Sequence, residues 1–330
     1  MFFAAAKRAQ AAGACMIGSE ADFLALIDRF FPNHGMLVGR GDDCAVFSCP
    51  EKMCVTSDLF IEDVHFRRRY FSPFDIGHKA LAVNISDIAA MGAVPLGFSL
   101  SLAVPTGLDQ SFWSGFFSGM SGLAQKHALF LSGGDLSRAD KLAANITIWG
   151  DCSSGYRLRG HCREGDKIFL VGKIGLARTG LFLLESGMSS RGYSRAIEAH
   201  LRPLPQVEAG IQLAGLEGVM AMMDVSDGLA RDFPRLLGPD MGVEIELDHA
   251  DLDSEIVSWC SRTGENPLEF ALLGGEDYAL VAVVDKQAVV RLGDELGLQG
   301  RFIGTVCKKA GIFLQGVPLT CQGFDHFSYQ

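Results

Sequence analysis

The sequence predicts a mixed α/β (α+β) protein of two domains. Three observations carry this expectation. The chain has 330 residues, more than one ordinary hydrophobic core organises. Runs with period-2 apolar alternation are interleaved with stripes of helical spacing along its whole length. The pattern breaks over residues 150–165, where Gly, Ser, Arg and Cys interrupt it, and then restarts. The expected division is therefore 1–155 and 156–330.

In the first half, Ser19-Glu20 opens a helix in which Phe23, Leu24, Leu26, Ile27, Phe30 and Phe31 share a face, and Pro32-Asn33-His34-Gly35 ends it. Residues 39–43 read as a polar turn. Residues 44–47 and 53–56 read as short strands joined by Pro50-Glu51-Lys52. A helix over 75–91 is stopped by Gly92 and Pro95. Residues 96–104 alternate cleanly, with Phe98, Leu100, Leu102 and Val104 opposite Ser99 and Ser101, as in a strand with one buried face. Phe112, Phe116, Met120 and Leu123 mark a helix over 108–127; with Trp113 and Phe117 they read as core or dimer contact. Strands follow at 128–131, running into Ser132-Gly133-Gly134-Asp135, and at 144–149. In the second half, strands are expected at 167–171, 219–224, 243–247, 278–284 and 301–306. Helices are expected at 176–184, 226–237, 253–262 and 286–296.

Composition narrows the function classes. Apolar residues make up 48% and charged residues 21%, as in folded globular chains. A formal net charge of −10 gives no broad attraction for nucleic acid or anionic membrane. Arg67-Arg68-Arg69 is too short to reverse that and reads as a solvated face. No apolar run reaches the roughly 18 residues of a membrane span. The Ala-rich first fifteen residues, with Lys7, Arg8 and no acid, read as a helical extension, their apolar stretch being too short for a secretory signal. Nine cysteines form no C-x-x-C pair, and the five-residue spacing of Cys44, Cys49 and Cys54 matches no zinc site. They read as small hydrophobes in a reducing compartment, which points to the cytoplasm.

The chemistry sits in carboxylates at turns and element ends beside small residues. These are Asp42 and Asp43 after Gly41, Asp58 after Thr56-Ser57, Asp135 after Gly133-Gly134, Asp224 and Asp227 around Ser226, and Glu276-Asp277 after Gly274-Gly275. Taken singly, each fits turn formation or helix capping as well as function. Asp87 does not, since it lies mid-helix among Ile85, Ile88 and Ala89, where an unpaired buried charge is costly. Several carboxylates converging on one site repel one another, and a hard divalent cation relieves that. Oxygen donors with few cysteine or histidine neighbours select magnesium over zinc, and magnesium's usual companion is a polyphosphate. The glycine pairs would let backbone N–H groups approach phosphate oxygens, and the helix expected after Ser226 offers a second anion site. No G-x-x-x-x-G-K-[ST] loop or protein-kinase signature is present; Gly172-Lys173 is followed by Ile174.

At this point the residues resemble a known family. Gly41-Asp42-Asp43, Thr56-Ser57-Asp58 with Val64-His65-Phe66, and the run from Lys79 through Asn84-Ile85-Ser86-Asp87 to Gly92 are similar to the thiamine-monophosphate kinases. So are Gly133-Gly134-Asp135, Asp224-Val225-Ser226-Asp227-Gly228-Leu229, Gly274-Gly275-Glu276-Asp277-Tyr278 and Gly323-Phe324-Asp325-His326-Phe327. The motifs keep the family's order from Gly41 to Phe327. The resemblance implies a member of the aminoimidazole-ribonucleotide-synthetase-like superfamily, a homodimer whose N-terminal domains pair strands. It implies transfer of the ATP γ-phosphate to thiamine monophosphate. It further implies Mg2+ held by Asp43, Thr56, Ser57, Asp58, Asp87, Asp135, Asp224 and Asp227, nucleotide held by Gly134, Asp135, Arg159 and Ser226, and thiamine phosphate contacted by His65, Glu276 and Phe324. Asp58, Asp135 and Arg159 would carry the catalysis. Phe324 departs from the Trp common in the family, leaving a smaller stacking surface.

On the residues alone, His65 also fits a structural histidine, Phe324 a plug over the core and Arg159 a solvated side chain. Two other functions stay open. One is another ATP-using enzyme of the superfamily. Selenophosphate synthetase would carry a reactive Cys beside a Lys near the N-terminus, a motif that Lys7 and Cys15 do not form; the hydrogenase-maturation protein would end in Cys rather than Phe327-Ser328-Tyr329-Gln330. The other is a non-catalytic nucleotide- or thiamine-phosphate-binding protein.

Overall fold

A computed structural model describes residues 17, 19–289 and 299–319. The first half begins with α1 (Glu20–Phe30), whose start is fixed by the Ser19 side chain accepting from the Asp22 backbone N–H at 3.2 Å. Its buried Phe23 packs on Trp113 and Phe117, with ring centroids 4.8 and 5.8 Å apart. Then follow β1 (Met53–Ile61), α2 (Pro73–Met91), β2 (Val94–Val104), α3 (Gln110–Lys126), β3 (Phe130–Arg138) and β4 (Ala143–Asp151). The four strands form one sheet in the order β1-β4-β2-β3, antiparallel except for the β2–β3 pair. Leu100, Leu102, Ile146 and Ile148 point from this sheet into a core shared with α2 and α3.

The second half contains β5 (Lys167–Val171), α4 (Leu176–Ser186), α5 (Ser194–Leu201), α6 (Val207–Gly215), β6 (Val219–Asp224), α7 (Leu229–Leu237), β7 (Gly242–Ile245), α8 (Ser254–Thr263), α9 (Pro267–Leu272), β8 (Leu280–Val284), β9 (Gly300–Cys307), β10 (Gly311–Leu314) and β11 (Val317–Pro318). Its seven-stranded sheet runs β11-β10-β7-β9-β5-β8-β6. Every residue of β8 is buried, because apolar side chains cover both faces of the sheet.

The mixed α/β, two-domain expectation holds, and several local readings shift for identifiable reasons. The helix expected from residue 75 starts at Pro73, because Ser72 and Asp75 form a capping box around a proline in the first turn. Residues 44–47 form no strand, only the bridge Val38↔Val46. β1 continues to Ile61, so Ser57 and Asp58 stand in a strand and not at its end. β3 likewise runs through Gly133-Gly134-Asp135 to Arg138. The helix expected from Ser226 begins at Leu229, after Gly228 at φ 96°, and Ser226 does not cap it. Arg67, Arg69 and Tyr70 are not merely solvated: all three engage Glu185 of α4, Tyr70 at 2.7 Å. The 286–296 helix falls mostly outside the described residues, and residues 1–15 and the Gly323–Phe327 motif wholly so.

Candidate functional site

Three elements bring carboxylates together where the halves meet. β1 carries Thr56 and Asp58, α2 carries Asp87, and β6 ends at Asp224. Thr56 Oγ1 donates to Asp87 Oδ2 at 2.7 Å, and Ser86 Oγ donates to Asp224 Oδ2 at 2.8 Å, bridging the two halves. The Asp58 backbone N–H donates to Asn84 Oδ1 at 3.2 Å. Alternation along β1 sorts its side chains: Thr56 and Asp58 share the face of buried Phe60, whereas Ser57 joins exposed Val55 and Leu59. Ser57 instead meets Thr147 Oγ1 at 3.0 Å.

Crowding and burial disfavour charge on these acids. Burial, then repulsion from Asp87, pushes Asp58 up to about 6. The same two causes push Asp224 up to about 7. Burial also raises Asp87, although the Thr56 hydrogen bond and Arg159 pull the other way. The positive charge of Arg159, an exposed residue, lowers Asp87, Asp224 and Asp232 alike and so lies within electrostatic reach of this cluster. The donor set is hard oxygen with an excess of negative charge, which suits a divalent magnesium ion. Among the described residues, no three His, Cys, Asp or Glu side chains converge enough to hold a metal ion unaided.

The loop after β6 packs back to back on the loop before β8. Glu276 N donates to Ser226 O at 2.7 Å, and Tyr278 N to Val225 O at 2.9 Å. A Cβ on Gly275 would lie 2.8 Å from Ser226 O, so the absence of a side chain here permits the close loop-to-loop approach. Asp227 is engaged by Arg235 at 2.7 Å, and its backbone N–H donates to the buried Asp232 carboxylate at 3.2 Å. Glu276 and Tyr278 both adopt left-handed backbone, at φ 63° and 49°. Asp277 between them accepts from Gly175 N at 2.6 Å and Ala177 N at 3.0 Å, fixing the loop to the start of α4.

His65 stacks beside Phe60 and accepts the Ile61 backbone N–H on Nδ1 at 3.0 Å, which leaves Nε2 as its proton-bearing atom when neutral. Phe324 lies outside the described residues. Asp43, Gly134 and Asp135 are not brought to the carboxylate cluster. Asp135 is exposed on β3, with Ser137 Oγ donating to it at 2.8 Å. β3 and β1 are opposite edges of the sheet, three interstrand steps or about 14 Å apart. The Asp43 loop is tied to the β3 side by Arg40, which donates to Leu131 O at 2.7 Å. The structure thus holds two groups of candidate residues: Thr56, Asp58, Asp87, Arg159, Asp224 and Ser226 at one edge, Asp43, Gly134 and Asp135 at the other.

The sequence reading missed Lys79, Asn84, Ser86, His200 and Asp232. Lys79, Asn84 and Ser86 were legible as polar breaks in the apolar pattern of α2, the signal that singled out Asp87. Nothing in the sequence marks His200 or Asp232.

Two mixed α/β halves meeting at an acidic junction define an AIR synthase related protein. That family's N-terminal domain matches residues 41–152 and its C-terminal domain residues 163–317. The chain is 39% identical to the thiamine-monophosphate kinase of Bacillus subtilis over 76% of its own length and 78% of that protein's. It is 33% identical to that of Aquifex aeolicus, over 87% and 92%. The solved structure of AaThiL complexed with AMPPCP and TMP superposes with a TM-score of 0.75 at 30% identity, covering 93% of this chain and 97% of that one. The chain belongs to the thiamine-monophosphate kinase family of enzymes.

Proposed function

We propose that this protein phosphorylates thiamine monophosphate with ATP, giving thiamine diphosphate and ADP. The observation that carries the reading is the convergence of Thr56, Asp58, Asp87 and Asp224 from both halves, within electrostatic reach of Arg159. The capture of AMPPCP and TMP by a 30%-identical relative supports the substrate pair. In the reaction, a phosphate oxygen of thiamine monophosphate forms a bond to the γ-phosphorus as the bond from that phosphorus to the β,γ-bridging oxygen breaks. The acceptor oxygen is already anionic, so no side chain has to remove a proton. The obstacle is repulsion between two anions, and residues that neutralise and align them lower it. Bound magnesium would neutralise phosphate charge and align the reactants. Its ligands on this chain would be Asp43, Thr56, Asp58, Asp87, Asp135, Asp224 and Asp227, with Ser57, whose side chain faces the other way on β1, able to offer only its backbone carbonyl. Arg159, Gly134 and Ser226 would hold the nucleotide phosphates. His65 and Glu276, with Phe324, would hold thiamine phosphate.

The split into two groups supports a homodimer. Among the described residues β1 and β3 each have one hydrogen-bonded neighbour, and Met53, Val55 and Leu59 are exposed on β1. A second copy seated on this edge would bring its Asp43, Gly134 and Asp135 to the carboxylates of the first and complete one site per protomer. Free thiols at the seven described cysteines suit a reducing cytoplasm. The direct test is mass spectrometry of products formed from ATP, magnesium and thiamine monophosphate. Equal amounts of thiamine diphosphate and ADP are expected; neither product, or ADP alone, refutes the assignment.

A further inference from the structure

Lys79 is completely buried in α2. A buried ammonium is costly unless it is paired and hydrogen-bonded, and the partners of this one come from the other half of the chain. Its Nζ donates to the His200 carbonyl of α5 at 2.8 Å and lies 3.3 Å from Glu276 Oε1. It also sits 5.5 Å above the Phe71 ring. The His200 ring, itself buried against Phe71, brings Nδ1 to 3.3 Å from the second oxygen, Glu276 Oε2. Each carboxylate oxygen of Glu276 therefore has its own partner, one from α2 and one from α5. The backbone beneath is left-handed at Glu276 and again at Tyr278, a conformation that persists only where its surroundings over-determine it. Lys79, His200 and the bond from Glu276 N to Ser226 O supply that determination.

We propose that Lys79 and His200 are positioning residues that fix Glu276 as the group recognising the cationic ring of the substrate, and so make recognition depend on contact between the two halves. This rests on the reading of Glu276 as a thiamine-phosphate contact. The thiazolium ring of that substrate carries a permanent positive charge, which an ionised carboxylate attracts and a protonated one does not. The groups facing Glu276 are Lys79 from α2, His200 from α5 with Glu185 of α4 behind it, and Asp277 and Tyr278 in its own loop. Burial works to raise the Glu276 carboxyl, but Lys79 and His200 outweigh it and hold it down at about 2. Burial first, and then Lys79, lower His200, which favours its neutral ring beside Glu276.

The test is calorimetric binding of thiamine monophosphate, without nucleotide or metal, to the wild type and Lys79→Met from about pH 8 down to about pH 4.5. The ratio of the two affinities cancels the titration of the ligand and of groups common to both proteins. Without Lys79 the carboxyl returns to the ordinary glutamate value of about 4.3 or, being partly desolvated, above it. At about pH 4.5 a carboxyl titrating at about 4.3 is roughly four-tenths protonated and one raised to about 5.5 roughly nine-tenths, so the ratio is expected to widen about 2-fold to 10-fold toward acid. A ratio independent of pH overturns the proposal. Lys79→Gln, which keeps a donor but not the charge, replaces Lys79→Met if that variant does not fold. Adding Lys79→Met to Glu276→Gln should leave no widening, and widening there would place the effect elsewhere. Unchanged affinity in Glu276→Gln alone would instead remove the substrate role of Glu276 while leaving its pairing with Lys79 intact.

Discussion

The two groups of candidate residues make a prediction about complementation. Asp58→Asn and Asp135→Asn should each lower turnover by at least ~100-fold, the scale of losing one preorganised electrostatic element. The two residues lie on opposite edges of the sheet, about 14 Å apart. Magnesium–oxygen bonds of about 2 Å do not span that gap within one chain, so Asp58 of one copy should work with Asp135 of another. Equal amounts of the two inactive variants, co-refolded or co-expressed, give one half mixed dimers by random assortment. In each mixed dimer one site carries both substitutions and the other carries neither. About one quarter of wild-type turnover should therefore return. If each site were built within one chain, every site would keep one defect and the mixture would stay as inactive as its parents. The assay is thiamine diphosphate formation, read on the whole mixture and on mixed dimers isolated with two different affinity tags. The isolated mixed dimers should show about one half of wild-type turnover, because one of their two sites is intact. A verified mixed dimer with no recovered turnover refutes assembly across copies.

Three other perturbations follow from the same geometry. Gly275→Ala places a Cβ 2.8 Å from Ser226 O and should part the two loops, costing about 1–3 kcal/mol and raising KM for both substrates, read by thermal unfolding and steady-state kinetics. Ser86→Ala removes the 2.8 Å bond to buried Asp224 and should cost about 1–3 kcal/mol in urea unfolding near neutral pH; no loss would mean that the bond does not tie the halves together. Glu276 is held down at about 2, below its unfolded value of about 4.3, so its contribution to stability is fully present above about 4.3 and is lost as pH falls toward 2. The difference in urea midpoint between the wild type and Glu276→Gln should accordingly be level near neutrality and close in acid; a difference growing in acid would reverse the assigned sign.

How much of this was legible in the sequence depended on whether the signal was local. The mixed architecture was, because alternation in Leu96–Val104 and the stripe through Phe112, Phe116 and Met120 each need one burial partner and no knowledge of which one. Asp87 was legible for a related reason: a lone carboxylate in an apolar helix demands a tertiary explanation, and Asp224 with Ser86 beside it supplies one. The glycine-rich stretches misled, because Gly133-Gly134 reads as a turn by local chemistry. Pairing with β2 overrides it, and at Gly134 a Cβ would come within 1.6 Å of Leu100 O. Helices α5, α6 and α9 were missed because each is only six to nine residues long, and contacts with distant segments, not an extended apolar period, hold them. The separation of Asp135 from Asp58 was the least legible of all. Both follow small residues near predicted strands, and nothing local says that their strands lie at opposite edges. That fact belongs to the sheet order, which sets at opposite edges the residues that the sequence presents as one pocket.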